Sequence, residues 1–260
     1  MALPDGAFVL VEYTLRVKET GEVIDTTSEE EARKAGVYDP KERYGPRLVI
    51  IGEGRLIPGL EKTIKELSPG EEKEVEIPPS EAFGERKPEN IKIMPRNVFI
   101  RSGVVPEPGK IVEINGMLAV IRSVTGGRVV VDFNHPLAGK TILARVKLIK
   151  LIEDVGEKLL HLVLRRLPPI IGEEDVKVDY DAKKKYAKIM FNEKILQIAD
   201  MQAAKRLVVG EIRKYLANAV SELEFSEHIR IAGEGEKKQT ETEAGKAEDK
   251  SGEQAKTEGG

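Results

Sequence analysis

The chain has 260 residues, with 42 Lys and Arg against 45 Asp and Glu, no cysteine, no tryptophan and 40% apolar side chains. Its net charge of −3 sits wholly in residues 233–260, where 8 acidic and 5 basic side chains leave 37 of each sign in the first 232. A neutral body argues against nucleic-acid binding, which needs a basic surface; absent cysteine removes disulfides and thiolate chemistry; and no apolar run approaches the roughly 18 residues of a membrane span.

The length suits two or three small units, and with 5% aromatics their cores must be aliphatic. The Lys/Glu-rich usage resembles that of thermophile proteins. Asp5 and Glu12 flank the first apolar run, so no signal peptide is expected and a cytoplasmic location is the default.

AFVLVEYTLRV, residues 7–17, is β-branched and aromatic and predicts a buried strand. Thr20-Gly21 turns the chain into a second strand at Val23-Ile24, and SEEEARKAGVYDPKERYGP is a charged surface excursion with one helical turn. RLVIIGEG predicts a strand, and Leu60, Ile64 and Leu67 at i, i+4, i+7 predict a short amphipathic helix stopped by Ser68-Pro69-Gly70. KEVEIPP is an alternating strand. From about Lys87, ENIKIMPRNVFI and GKIVEINGMLAVIRSVTGGRVVVDF predict short strands between Pro and Gly turns, and TILARVKLIKLI a long one. The first antiparallel sheet is therefore interrupted near 87 and resumes near 131.

A third unit begins near Asp154. LLHLVLRRL, DVKVDYD and YAKIMF are strand-like, and Ala204, Leu207, Val208, Ile212, Tyr215, Leu216 and Ala219 form one apolar helical stripe, followed by a strand-like ELEF. The tail from Gly233 lacks large apolar residues and is expected to be disordered.

Three stretches carry possible chemistry: Val11-Glu12-Tyr13 with Val23-Ile24-Asp25, IIGEGRLIPGLE, and IPPSEAFGER. The glycines of the second fit neither phosphate-loop pattern, and Leu56, Ile57 and Leu60 place aliphatic side chains at the helix mouth, which suits an apolar concave pocket. Read alone, Ile24, Leu56 and Ile57 are equally plain core residues and Asp25 equally a turn residue. A fourth stretch, DFNHPLAGKT, offers His135 either as an acid/base group or as part of a stiff turn.

Together V-E-Y, V-I-D-T, G-E-G-R-L-I-P-G-L-E, L-S-P-G-E and I-P-P-S-E-A-F-G resemble the FKBP-type peptidyl-prolyl cis-trans isomerases. The insertion after A-F-G-E-R and the return through D-F-N-H-P-L-A-G-K-T resemble the SlyD-like branch, and the added unit after 154 resembles the long archaeal members, some of which dimerise through a C-terminal domain. The resemblance implies an α+β fold: an FKBP-like antiparallel sheet wrapped on a short helix, an inserted small β domain and a C-terminal α+β domain. The implied division is an isomerase domain at 1–86 with 131–153, an insert-in-flap chaperone domain at 87–130, a C-terminal domain at 154–232 and the tail at 233–260.

It also implies isomerisation of X–Pro bonds in unfolded or nascent chains, or a holdase-type chaperone with a weak pocket. Rotation about the imide bond needs no nucleophile and no proton transfer, only a water-poor pocket that favours the twisted, less polar bond and donors aimed at carbonyls. By position, Tyr13, Asp25, Ile57 and Phe83 would act on the bond, the backbone N–H of Ile57 holding a substrate carbonyl. Ile24, Leu56, Leu60, His135, Leu137 and Ala144 would line the proline pocket, with Leu60 at its floor and His135 reduced to a wall residue on a re-entry hinge. Phe83 stands where the family usually has Tyr, Ala144 where an aromatic closes the pocket, and Arg47 where an apolar residue is usual. In the insert, Ile91, Ile93, Met94, Val98, Phe99 and Ile100 exceed what a unit of its size can bury and would meet clients. His161 and His228 have no ligand-spaced partners and the tail holds neither His nor Cys, so neither metal nor cofactor is expected. The C-terminal unit is the expected surface for a homodimer.

Overall fold

A computed structural model describes residues 2–229 and Ile231, so the tail expected to be disordered lies outside the described residues. The fold is α+β, with three sheets and few helices. Strand β1 (Phe8–Val17) is the spine of the first sheet. One edge pairs antiparallel with β9 (Ile142–Ile152); the other pairs with β3 (Arg47–Ile50) and then β2 (Val23–Thr26). Strand β4 (Glu72–Ile77) lies beyond β9. Successive side chains of a strand point to opposite faces, so Val9, Val11, Tyr13, Leu15 and Val17 go one way and Phe8 and Leu10 the other.

The first face packs on helix α2 (Pro58–Glu66), which offers Leu60 and Ile64 one turn apart. Pro58 at its first position uses a proline where no amide bond is lost. Gly59 sets how closely helix and sheet approach, because a Cβ there would stand 2.4 Å from Ile77 Cγ2. The charged excursion forms helix α1 (Glu29–Ala35), with Ser28 accepting from the Glu31 N–H and three glutamates in the first turn.

The insert is a four-stranded antiparallel sheet in the order β5 (Ile91–Pro95), β8 (Arg128–Asp132), β7 (Met117–Thr125), β6 (Ile111–Ile114). It continues through Asp132, past the expected limit at 130, and the isomerase sheet resumes at Ile142. The stretch RNVFIR, expected as strand, is helix α3 (Arg96–Arg101). A helix rotates about 100° per residue, which turns Phe99 into the small core and leaves Val98 and Ile100 outside.

A second correction concerns LLHLVLRRL, which is helical as far as Leu164. Helix α4 (Val155–Leu164) starts at Asp154, whose carboxylate accepts from the Glu157 N–H at 2.8 Å. Its Leu159, Leu162 and Val163 are buried at helical spacing, and a short apolar run of this kind mimics a buried strand. Strands β10 (Val176–Asp181) and β11 (Tyr186–Phe191) form an antiparallel pair. Helix α5 (Met201–Tyr215) then crosses over to β12 (Glu222–Glu227), which runs parallel to β11. On α5, Ala204, Val208 and Ile212 are buried, whereas Leu207, expected in the same stripe, is 51% exposed. This unit shares one core with the second face of the main sheet: Phe8, Leu10, Leu48, Ile50 and Ile152 cluster with Leu159, Leu162, Val163, Phe191 and Ile212. Among the described residues no helix is long and apolar enough to cross a membrane.

Candidate functional site

Around Tyr13, at the open side of the α2-facing core, Ile24, Leu56, Ile57, Phe83 and Leu137 are all half-buried and packed on the same apolar cluster. They come from β2, the loop entering α2, the stretch before the insert and the stretch after it. Leu60 and Ala144 belong to that cluster but have no exposed surface. Leu60 is carried by α2 and Ala144 by β9, and both lie beneath the wall rather than at its surface. Gly54 gives the entering loop its left-handed turn (φ 73°). Ile57 then sits extended before Pro58 (φ −61°, ψ 141°), its carbonyl already accepting from the Leu60 and Glu61 N–H groups. Its own N–H has no acceptor among the described residues, as befits a donor kept for a ligand.

The polar group of the site is a fixed triplet. The Tyr13 hydroxyl donates to Asp25 Oδ2 at 2.8 Å and accepts from Arg47 Nη1 at 2.5 Å. The same guanidinium lies 3.5 Å from Asp25 and 3.7 Å from Glu42. Burial pushes the Tyr13 hydroxyl well above the usual tyrosine range; Arg47 opposes this and the Asp25 carboxylate adds to it. Tyr13 thus stays a neutral donor. Its position is set by the backbone, since the Tyr13 N–H donates to Thr27 Oγ1 at 2.9 Å and its carbonyl accepts from the Thr27 N–H at 2.9 Å. Arg47 stands where an apolar wall residue is expected, yet its guanidinium orients the carboxylate instead. A role of that kind leaves no trace in local sequence, because Tyr13 and Asp25 are brought to Arg47 only by the sheet.

Phe83 stacks on His135, ring centroids 4.9 Å apart and planes within 2°. His135 Nδ1 accepts from the Leu137 N–H at 3.2 Å, which ties the imidazole into a turn. Three residues before His135, Asp132 is buried and joins both chain segments that lead into the insert. It accepts from Arg86 Nε at 3.0 Å, Arg122 Nε at 3.1 Å, and Asn134 N and Nδ2 at 2.9 and 2.8 Å. Burial would raise its pKa; these donors overcome that and hold it at about 2. Asn134 in turn accepts from the Lys87 N–H at 2.9 Å and donates to the Lys87 carbonyl at 3.0 Å. Neither Asp132 nor the Asn134 clamp was foreseen, although Asp-x-Asn before a turn is the pattern of a side chain capturing backbone two residues on.

In the insert Ile91, Ile93, Val98 and Ile100 are exposed. Phe99 is buried and Met94 packs half-buried on the same core, so neither offers the free surface expected of it. Ile111, Met117 and Leu118, which were not singled out, are exposed on β6 and β7, Leu118 by 69%. Beside the Tyr13 site opens a cleft of about 560 Å³. One wall carries Tyr13, Asp25, Arg47 and Leu56, and the other His161, Leu164, Leu167 and Pro169 of the C-terminal unit.

A family model described as FKBP-type peptidyl-prolyl cis-trans isomerase matches residues 2–100, and one described as FKBP26, IF domain, matches residues 92–137. The chain is 39% identical over 142 residues to the short-type peptidyl-prolyl cis-trans isomerase of Methanocaldococcus jannaschii, covering 55% of this chain and 89% of that one. It is 30% identical over 146 residues to a probable FKBP-type 16 kDa peptidyl-prolyl cis-trans isomerase of Pseudomonas fluorescens (54% and 86% covered). Identity is 33% over 156 residues with the SlyD isomerase of Helicobacter pylori (58% and 76% covered).

Proposed function

We propose, for a chain that belongs to the FKBP-type peptidyl-prolyl cis-trans isomerase family, that the Tyr13 site accelerates X–Pro isomerisation in unfolded or partly folded polypeptides and that the insert grips those clients. The observation that carries the reading is the pairing of an apolar, half-open wall with one fixed carboxylate and an unused N–H. An X–Pro bond resists rotation by about 18–20 kcal/mol because twisting removes its resonance. A proline ring set among Ile24, Leu56, Ile57 and Phe83 leaves water, and the twisted imide, being less polar, loses less by that transfer than the planar one. The Ile57 N–H would hold a substrate carbonyl at the helix mouth. Asp25, bonded through Oδ2 only, keeps a second oxygen to accept from a substrate N–H. No step moves a proton, so His135 serves by shape.

The chaperone half of the proposal is supported by the exposed aliphatic and Met side chains of the insert, whose flexible, unselective surface suits varied sequences. The C-terminal unit leaves Ile170, Leu196 and Leu207 exposed, and self-association through that surface is part of the same reading; light scattering on the full chain decides it. Refolding of a protein limited by X–Pro isomerisation tests the whole. Acceleration by catalytic amounts of the intact chain is expected. Suppressed aggregation with no acceleration would leave a holdase and refute the isomerase.

A further inference from the structure

The loop from Gly52 to Ile57 brings Leu56 and Ile57 into the site; Glu61 of α2 accepts from its Gly52 N–H at 2.7 Å, and the ionic contacts that fix its middle come from the C-terminal unit. Glu53, its side chain only 8% exposed, receives Arg165 in a two-pronged contact, Nη1 and Nη2 each at 3.0 Å from one carboxylate oxygen. Arg55 lies 2.9 Å from Glu53 through Nε and 3.1 Å from Glu211 through Nη2. Glu211, on α5 and 9% exposed, also takes Arg165 Nε at 2.9 Å and an ion pair from Arg166. Burial alone would raise the Glu53 carboxyl; Arg165 and Arg55 outweigh it and hold it below its ordinary value.

Such a network is a poor device for stability alone, since a well-packed apolar replacement does as well or better. What a bidentate Arg–carboxylate contact supplies is direction. Elsewhere the C-terminal unit meets the main sheet mostly through aliphatic side chains, with Arg43 donating to the Pro168 and Ile171 carbonyls and Lys150 pairing with Glu157 away from the site loop. Here it meets the one loop that presents a backbone donor to the site, with charges in fixed geometry. Leu56 and Ile57 follow Arg55 directly, so a shift of the Arg55 backbone is a shift of the donor. Misplacement of a substrate-positioning group by about 1 Å can cost up to about a hundredfold in rate.

We propose that Arg165 and Glu211 are positioning residues for the isomerisation, acting through Glu53 and Arg55 on the backbone that carries Ile57 N–H and Leu56. The proposal rests on the function proposed above for the Tyr13 site, and it makes the C-terminal unit part of the active enzyme. Its test uses the full chain and two readouts: kcat and KM on a proline-containing tetrapeptide, and amide hydrogen exchange across residues 52–57. Glu211→Gln keeps the shape and removes the charge. It is expected to lower kcat/KM about tenfold, through kcat, and to speed exchange in the loop. Arg165→Lys, which cannot make the two-pronged contact, is expected to behave alike. Val208→Ala loosens the same helix without touching the network, and is expected to lower Tm while retaining kcat/KM. The proposal is overturned if Glu211→Gln leaves loop exchange at the wild-type rate, or if Val208→Ala costs as much kcat/KM as Glu211→Gln. Should the wild-type chain itself lack isomerase activity, the proposed function fails, and loop exchange alone then decides whether the C-terminal charges hold the loop.

Discussion

Phe83 and His135 stand on opposite sides of the insert in sequence and stack face to face across its base, 4.9 Å between centroids. The wall of the site is therefore pinned where the chain leaves for the insert and where it returns. His135→Ala should free the Phe83 ring and lower kcat/KM severalfold on a short peptide, whereas His135→Phe, which keeps a planar partner, should retain most of it. An equal loss in both variants would mean that an imidazole nitrogen matters. Phe83→Tyr adds the hydroxyl donor that most relatives are expected to carry; a gain of about fivefold corresponds to one hydrogen bond of about 1 kcal/mol.

The Tyr13–Asp25–Arg47 triplet makes a separate prediction. Tyr13→Phe removes the hydroxyl that donates to the Asp25 carboxylate, and a hydrogen bond to a charged group is worth about 1.5–3 kcal/mol. Loss of about tenfold or more in kcat/KM is expected, with little change in the far-ultraviolet circular dichroism. Retention of full activity would show that Asp25 needs no such orientation.

Asp132 predicts a pH dependence. Its folded pKa is held at about 2 against an ordinary 3.8, so its contribution to stability is complete above the ordinary value and is lost as pH falls through about 2. The shift corresponds to about 2 kcal/mol. Urea unfolding of wild type and Asp132→Asn should differ by roughly this amount at pH 6, and the difference should shrink steadily between pH 4 and pH 2. A gap that stayed constant over that range would contradict the clamp.

For the insert, Ile93 is 65% and Leu118 69% exposed. Replacing both with Ser should change stability little, because neither is buried. Suppression of client aggregation should fall severalfold relative to isomerisation of a short peptide, measured on the same preparation by light scattering and by peptide kinetics. Unimpaired suppression would move client binding off this surface.

Gly59→Ala tests the helix–sheet contact under the site. The new Cβ would meet Ile77 Cγ2 at 2.4 Å, and overpacking of this kind costs about 1–3 kcal/mol. A lowered Tm is expected, together with weaker activity as α2 is pushed outward. An unchanged Tm would mean that Ile77 swings aside freely.

Much of the molecule can be read from the chain. The alternation of β1, the Pro-started α2 and the Gly-punctuated loop before it are local signals, and they place Ile24, Leu56 and Ile57 around one cluster. What escaped was set by distance or by ambiguity. Residues 159–164 are apolar apart from His161, and periodicity alone does not separate a buried helix from a buried strand; the cue that does so is Asp154 as an N-cap. Ala144 and Leu60 sit at the expected places along the chain, but their depth depends on what packs over them. Arg47 meets Asp25, Asp132 meets Arg86 and Glu211 meets Arg55, partners far apart in the chain that only the fold brings together.

The shared core behind β1 bears on how the chain is made. Phe8 and Leu10 leave the ribosome well before the side chains that cover them, from Leu159 to Ile212. Through most of synthesis the growing sheet carries an uncovered apolar back, itself in need of a protector. A product ending near residue 153 would keep that back bare for good, and would be expected to self-associate through it.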